Sequence, residues 1–263
     1  MSCNDLTIAV AVNDINVLWQ NLFLSPDLSN GLSSRLVIRE GYPSASLAYN
    51  TVLDESESDI VIFVHQDVFL LEGFFPRLKR WISYLEDKEV NWGVLGCFGS
   101  KKFAEGGVGS IFTTGMGVHG KEISEPEPVE TLDEILLVVR KSSGLRFDQS
   151  LPHFHLYGTD ICLAARDKGM SCYVVPGFCI HNTNQILSLP DEFYECYDFL
   201  KKKWKKYLPI YTSCVKISRF DEELLIRSIR SLCAKALGRK KTAKVRLEDP
   251  RTVLGNQAPE WNT

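Results

Sequence analysis

Ile60-Val61-Ile62-Phe63-Val64-His65-Gln66-Asp67 is the stretch whose reading decides the fold. Five β-branched or aromatic residues follow the turn residue Asp59, a composition that predicts a buried strand rather than a helix. The run ends on an imidazole and a carboxylate, just past the C-terminal end of that strand. Open α/β sheets bind their ligands there. A hard divalent ion bridging a substrate's phosphates needs one or two carboxylates held at such a point. The competing local reading makes Asp67 a cap for a helix starting near Gly73.

The flanking sequence alternates in the same style. Leu6 to Val12 reads as a first strand, with Asn13-Asp14 as a turn and a helix through Leu18 and Leu22. Arg35 to Arg39 reads as a second strand, and Ser44 caps a helix through Leu47, Ala48 and Val52. After His65-Gln66-Asp67, apolar residues from Phe74 to Leu85 recur at helical spacing, and Val94 to Phe98 is a further strand. Strands also fit Ile135–Val139 and Tyr173–Pro176, with a helix from Asp160 to Gly169 between them. This alternation predicts an α/β, Rossmann-like fold, with a mostly parallel central sheet and helices on both faces. Between Gly99 and Gly120 the pattern dissolves into seven glycines, which suits a mobile loop beside a ligand. The spacing is not that of a P-loop, and no Gly-Lys-Ser/Thr triplet occurs, so NTPase chemistry has little support.

Length and composition set bounds. A chain of 263 residues with 44% hydrophobic and 24% charged residues buries a sizeable core. No apolar run approaches the roughly 20 residues needed to cross a bilayer. The start, Met1-Ser2-Cys3-Asn4-Asp5, lacks the features of a secretory signal, so the expectation is a cytoplasmic protein. Cys97, Cys162, Cys172 and Cys179 sit singly in apolar segments, as reduced core thiols do.

Three polar clusters lie at the ends of apolar elements: His65 with Asp67, Asp160, and His181. Metal-assisted phosphate chemistry requires ligands from separate strands converging on one point. A carboxylate at a helix start, such as Asp160, suits a general base, and equally suits plain stabilisation of the helix dipole. His181 reads equally as a metal ligand or as a satisfied edge histidine.

In order and spacing, residues 5–185 resemble a GT-A glycosyltransferase of the broad family 2 type. Ala48-Tyr49-Asn50 lies where that family has Ala-Arg-Asn, and His65-Gln66-Asp67 stands where it has Asp-x-Asp. Tyr157-Gly-Thr-Asp160-Ile-Cys-Leu163 resembles its Glu-Asp-x-Asp-Leu segment, and Val174-Val-Pro176 with His181 completes the series. The resemblance implies a nucleotide-sugar donor contacted by Asn13, Asn50, His65, Gln66 and Asp67. It implies a Mn²⁺ or Mg²⁺ ion on Asp67 and His181, and Asp160 as the base of an inverting transfer. Asp133, His155 and Tyr157 fall on the acceptor side, where a glycan or lipid-linked hydroxyl would enter. In such a mechanism the glycine-rich loop closes over the donor and excludes water. Bacterial surface-polysaccharide assembly is the setting that the resemblance suggests. Two departures stand out. Tyr49 removes a cation from the donor side, and His65 replaces a carboxylate, which weakens the case for strict metal dependence.

Residues 201–244 hold 14 Lys/Arg against 3 Asp/Glu, whereas residues 1–200 hold 14 against 27. The chain therefore divides into a domain over 1–200, a basic helical extension over 201–244 and a disordered tail over 245–263. Within the extension, an apolar stripe over 224–237 with basic neighbours up to Lys241 fits packing on the body or an anionic membrane surface. No recognition motif accompanies the charge, so nucleic acid is not an expected partner. Two other functions fit the pattern less well: a silent domain that binds glycans or a partner, and a sugar-phosphate nucleotidyltransferase. The latter normally carries a Gly-rich, Arg-containing loop where Val12-Asn13-Asp14-Ile15 stands.

Overall fold

The structure is a computed structural model that describes residues 6–32, 35–102, 106–236 and 242–254. Seven strands form the central sheet in the order Leu36–Glu40, Leu6–Val12, Ile60–Val64, Leu136–Arg140, Trp92–Gly96, Ser171–Val174 and Glu127–Val129. Five of them point the same way, while Leu136–Arg140 and Glu127–Val129 run against the rest. The Rossmann-like α/β architecture expected from the alternation is therefore present.

Ile60–Val64 sits inside this sheet, parallel to Leu6–Val12 and antiparallel to Leu136–Arg140. Its side chains alternate between two apolar layers, which is why the run is continuously hydrophobic. Val61 and Phe63 pack among residues of the Ala45–Glu55, Tyr157–Asp167 and Asp191–Lys203 helices. Ile60, Ile62 and Val64 pack towards the Phe74–Asp87 helix. Ser44 caps its helix as expected, its hydroxyl accepting from Leu47 N at 3.3 Å. The Phe74–Asp87 helix is capped from a distance instead. The Asp27 carboxylate accepts from Gly73 N at 2.8 Å and Phe75 N at 3.1 Å, so Asp67 is not the cap.

A second sheet, in the order Val68–Leu70, Cys179–His181, Ile111–Thr113 and Gly117–His119, takes up much of the glycine-rich region. The expected mobile loop is thus largely an ordered hairpin; residues 103–105 of it lie outside the described residues. Its glycines allow close backbone approach. A Cβ on Gly109 would meet Cys97 O at 2.1 Å, and one on Gly120 would meet Gly109 O at 2.2 Å.

Two boundaries drawn from charge do not hold. Leu200, Trp204, Ile210 and Ile217 are buried in the same core as the central sheet, so the domain continues past residue 200. Burial of apolar surface outweighs the local lysine count here, because Lys202, Lys205 and Lys206 are exposed while Lys203 is paired with Asp148 and Asp160. Residues 245–254 are likewise docked on the body, with Pro250 and Val253 buried, rather than forming a free tail. Residues 255–263 of the expected tail, and basic positions 239–241, lie outside the described residues. Among the described residues, no helix is long and apolar enough to cross a membrane.

Candidate active site

The Ile60–Val64 strand delivers His65, Gln66 and Asp67 to the C-terminal edge of the sheet. Gln66 ties this turn to the end of the first strand. Its Oε1 accepts from Asn13 N at 3.1 Å and Asp14 N at 3.3 Å, and its amide donates to Asn13 Oδ1. Asp67 then meets His181 through the second sheet. His181 pairs with Val68 in an antiparallel register, and Asn182 N donates to Asp67 O at 2.8 Å.

The result is a His–Asp–His cluster whose candidate ligand atoms all lie within 4.8 Å of one another. Asp67 Oδ1 is 3.4 Å from His181 Nε2 and 4.0 Å from His65 Nδ1. The Tyr157 hydroxyl lies 2.9 Å from His65 Nε2. Burial opposes ionisation of Asp67, but His181 and His65 outweigh it and hold the carboxyl well below the usual carboxylate range. Burial lowers His65, and Asp67 offsets this only in part. For His181 burial pulls down, while the adjacent Asp67 prevails and raises it.

Beside the cluster opens a cavity of about 540 Å³ lined by Asn13, Tyr42, Tyr49, His65, Gln66 and Tyr157, among others. Tyr49 is fully buried against Phe63 and Phe147, and burial pushes its hydroxyl up to about 12, so it contributes no charge.

The acceptor-side candidates form a looser group. Asp133 is half-buried, accepts from Ile135 N at 3.1 Å, and is close enough to act electrostatically on His65 and His181. His155 packs edge-on against Phe193, and burial lowers it. Next to Asp133, the half-buried Glu134 accepts from Gly158 N at 3.2 Å. Burial, reinforced by Asp133, pushes Glu134 up to about 8.

Two expected site residues are elsewhere. Asn50 is buried and exchanges hydrogen bonds with the Phe147 backbone at 2.8 and 3.1 Å, so it splints two segments and does not face a nucleotide. Asp160 is 1% exposed. Its carboxylate accepts from Lys203 Nζ at 2.7 and 2.9 Å and from Trp204 Nε1 at 2.7 Å. It lies in the first turn of the helix as foreseen, on the face turned to the Asp191–Lys203 helix, with Lys203 and Trp204 occupying its carboxylate. Burial raises its carboxyl in spite of Lys203 and Trp204.

Sequence reasoning passed over Glu134 and Arg246. Glu134 adjoins Asp133 just before the Ile135–Val139 strand, with no motif to single it out. Arg246 lies in a polar stretch without periodicity, yet its Nη2 is 3.9 Å from Asp67 Oδ2.

The chain belongs to the glycosyltransferase-like family, whose sequence model matches residues 27–203. It is 25% identical over 169 residues to the ATP synthase subunits region ORF 6 protein of Fuscovulum blasticum. That alignment covers 61% of this chain and 66% of the relative, so the chain spans a little under two thirds of it. Among solved structures it is similar to S. aureus TarS 1-349 in complex with UDP-GlcNAc, with a TM-score of 0.43 and 14% identity over 76% of this chain and 66% of that one. It is also similar to GalNAc-T7 with UDP, GalNAc and Mn²⁺, with a TM-score of 0.44 and 6% identity over 67% of this chain and 43% of that one.

Proposed function

We propose that the protein transfers a sugar from a nucleotide-sugar donor to a hydroxyl of a glycan or lipid-linked acceptor. The observation that carries this reading is the His65–Asp67–His181 cluster at the mouth of a cavity ringed by the ends of parallel strands. In this reading the nucleotide lies along Asn13, Gln66 and Tyr42, with its diphosphate against Asp67.

The donor set fits a divalent cation. Ligands roughly 2.1 Å from one ion lie roughly 3–4 Å apart, close to the 3.4 and 4.0 Å found here. Two imidazoles and one carboxylate favour Mn²⁺ over Mg²⁺, which prefers oxygen ligands. When bound, such an ion supplies positive charge against the leaving diphosphate. The chain's own residues do the rest. Tyr157 orients His65 through Nε2. Glu134, beside Tyr157, takes the proton of the attacking hydroxyl in place of the sealed Asp160. Attack from the face opposite the diphosphate inverts the anomeric centre.

The Glu222–Ala236 helix supports peripheral attachment to an anionic membrane, where a lipid-linked acceptor resides. Leu225, Ile226, Ile229 and Leu232 are 46–65% exposed, with Arg227 and Arg230 beside them.

The test is thermal stability of the purified protein against UDP, GDP, ADP, CDP and dTDP, each with Mn²⁺, with Mg²⁺ and with EDTA. A nucleotide at about 100 times its dissociation constant adds about 2.7 kcal/mol to the folded state. The expected result is stabilisation by one of them that needs metal and disappears in Asp67→Ala. No stabilisation by any nucleotide would leave a silent binding domain instead.

A further inference from the structure

The segment from Lys244 to Val253 crosses the second sheet as a strap and is fastened at both ends. On one side, Gln185 N donates to Lys244 O at 2.9 Å and Lys244 N to Gln185 Oε1 at 3.0 Å. On the other, Val253 joins the apolar cluster of Phe69, Phe112, Phe178 and Ile180. Between them lies Asn182, which is completely buried and reads the strap's backbone. Its Oδ1 accepts from Leu247 N at 2.7 Å, and its Nδ2 donates to Leu247 O at 2.9 Å.

This fastening aims one side chain at the active site. Arg246 Nε donates to Asn182 O at 2.8 Å, which fixes the guanidinium, and Nη2 stands 3.9 Å from Asp67 Oδ2. That distance is an ion pair, too long for a hydrogen bond. Among the described residues, neither Nη1 nor Nη2 of Arg246 has a hydrogen-bond acceptor. The guanidinium is held by Nε and partly exposed, so the four N–H donors on Nη1 and Nη2 are open to a ligand entering from solvent. The planar fork matches two oxygens of a phosphate, and its place beside the metal-binding carboxylate is where a diphosphate would lie.

We propose that Arg246 is a diphosphate-binding residue, carried into the site by the C-terminal strap. The proposal rests on the nucleotide-sugar reading of the site and adds a second cation to it, at the Asp67 oxygen other than the one that faces His181. Without ligand the guanidinium partly neutralises Asp67. With ligand it grips the phosphate oxygens and stabilises the charge that builds on them as the sugar leaves.

Isothermal titration calorimetry on the full chain with Mn²⁺ tests this, using whichever nucleoside diphosphate stabilises the wild type most, together with its nucleoside. Arg246→Gln is expected to weaken the diphosphate at least tenfold and to change nucleoside affinity less than twofold. Arg246→Lys, which keeps the charge without the fork, should fall between. Val253→Ala, which loosens the strap without touching the guanidinium, should weaken the diphosphate in the same sense. A folded Arg246→Gln with wild-type diphosphate affinity overturns the assignment and leaves Arg246 a clamp on Asn182. If the wild type binds no nucleoside diphosphate, the transferase reading itself fails, and this proposal with it.

Discussion

The Tyr157 hydroxyl lies 2.9 Å from His65 Nε2, and this contact leaves Nδ1 as the nitrogen that faces Asp67. Partners of this kind set the orientation and basicity of ligating imidazoles. Tyr157→Phe keeps the ring packing against Tyr49 and Phe147 but frees the imidazole to turn. Mn²⁺ affinity, followed by electron paramagnetic resonance of the free ion, should drop about tenfold. An unchanged affinity would mean that Tyr157 does not orient the ligand.

Asp160 answers to a different experiment. Its carboxylate neutralises Lys203, which also reaches Asp148 at 2.7 Å, in the seam between two helices. Removing the Asp160 carboxylate leaves the partly exposed Lys203 ammonium with Asp148 as its remaining partner, so the cost is about 1–2 kcal/mol, less than for a fully buried pair. Asp160→Asn should therefore shift the urea midpoint downwards, while transfer per folded molecule stays within a few-fold of wild type. Abolished transfer in a fully folded variant would return Asp160 to the chemistry.

Glu134 links activity and stability to pH. Its carboxyl is raised from an ordinary 4.5 to about 8, so between these values the folded state keeps a proton that the unfolded state has lost. Stability contributed by this group is present below pH 4.5 and is lost as pH rises towards 8. Glu134→Gln removes that dependence and should be more stable than wild type at pH 9 by about 1–2 kcal/mol, less than the full shift implies because the side chain is partly solvated. Transfer by the wild type should rise with pH as the base ionises, and Glu134→Gln should lose at least a hundredfold in kcat. Retained kcat with a flat stability profile would show a buried acid without a catalytic role.

The exposed stripe on the Glu222–Ala236 helix predicts binding to vesicles containing phosphatidylglycerol and little binding to phosphatidylcholine alone. Leu225→Ser combined with Leu232→Ser should abolish sedimentation with the anionic vesicles, and 0.5 M salt should weaken it by screening the arginines, since the Debye length falls to about 4 Å. Equal binding of the double variant would exclude the stripe as the contact.

Much of this was legible in the residues. Ile60–Val64 announced a central strand because a strand buried on both faces must be apolar at every position. His65, Gln66 and Asp67 were visible as its ligand-facing end. Residue type and local position could not show that Asp160, Asn50 and the glycines from 99 to 120 meet Lys203, Phe147 and Cys97, which approach from remote parts of the chain.

The sequence by itself determined the strand–helix alternation and the placing of an imidazole and a carboxylate at the sheet's C-terminal edge, since hydrophobic periodicity is a local property. Only the tertiary structure decided which polar groups share a site. Pairing of Cys179–His181 with Val68–Leu70 set His181 beside Asp67, and the docking of Val253 brought Arg246 to the same carboxylate. A charged side chain's function depends on its neighbours within a few ångströms, and here those neighbours come from segments that meet only when the sheets assemble.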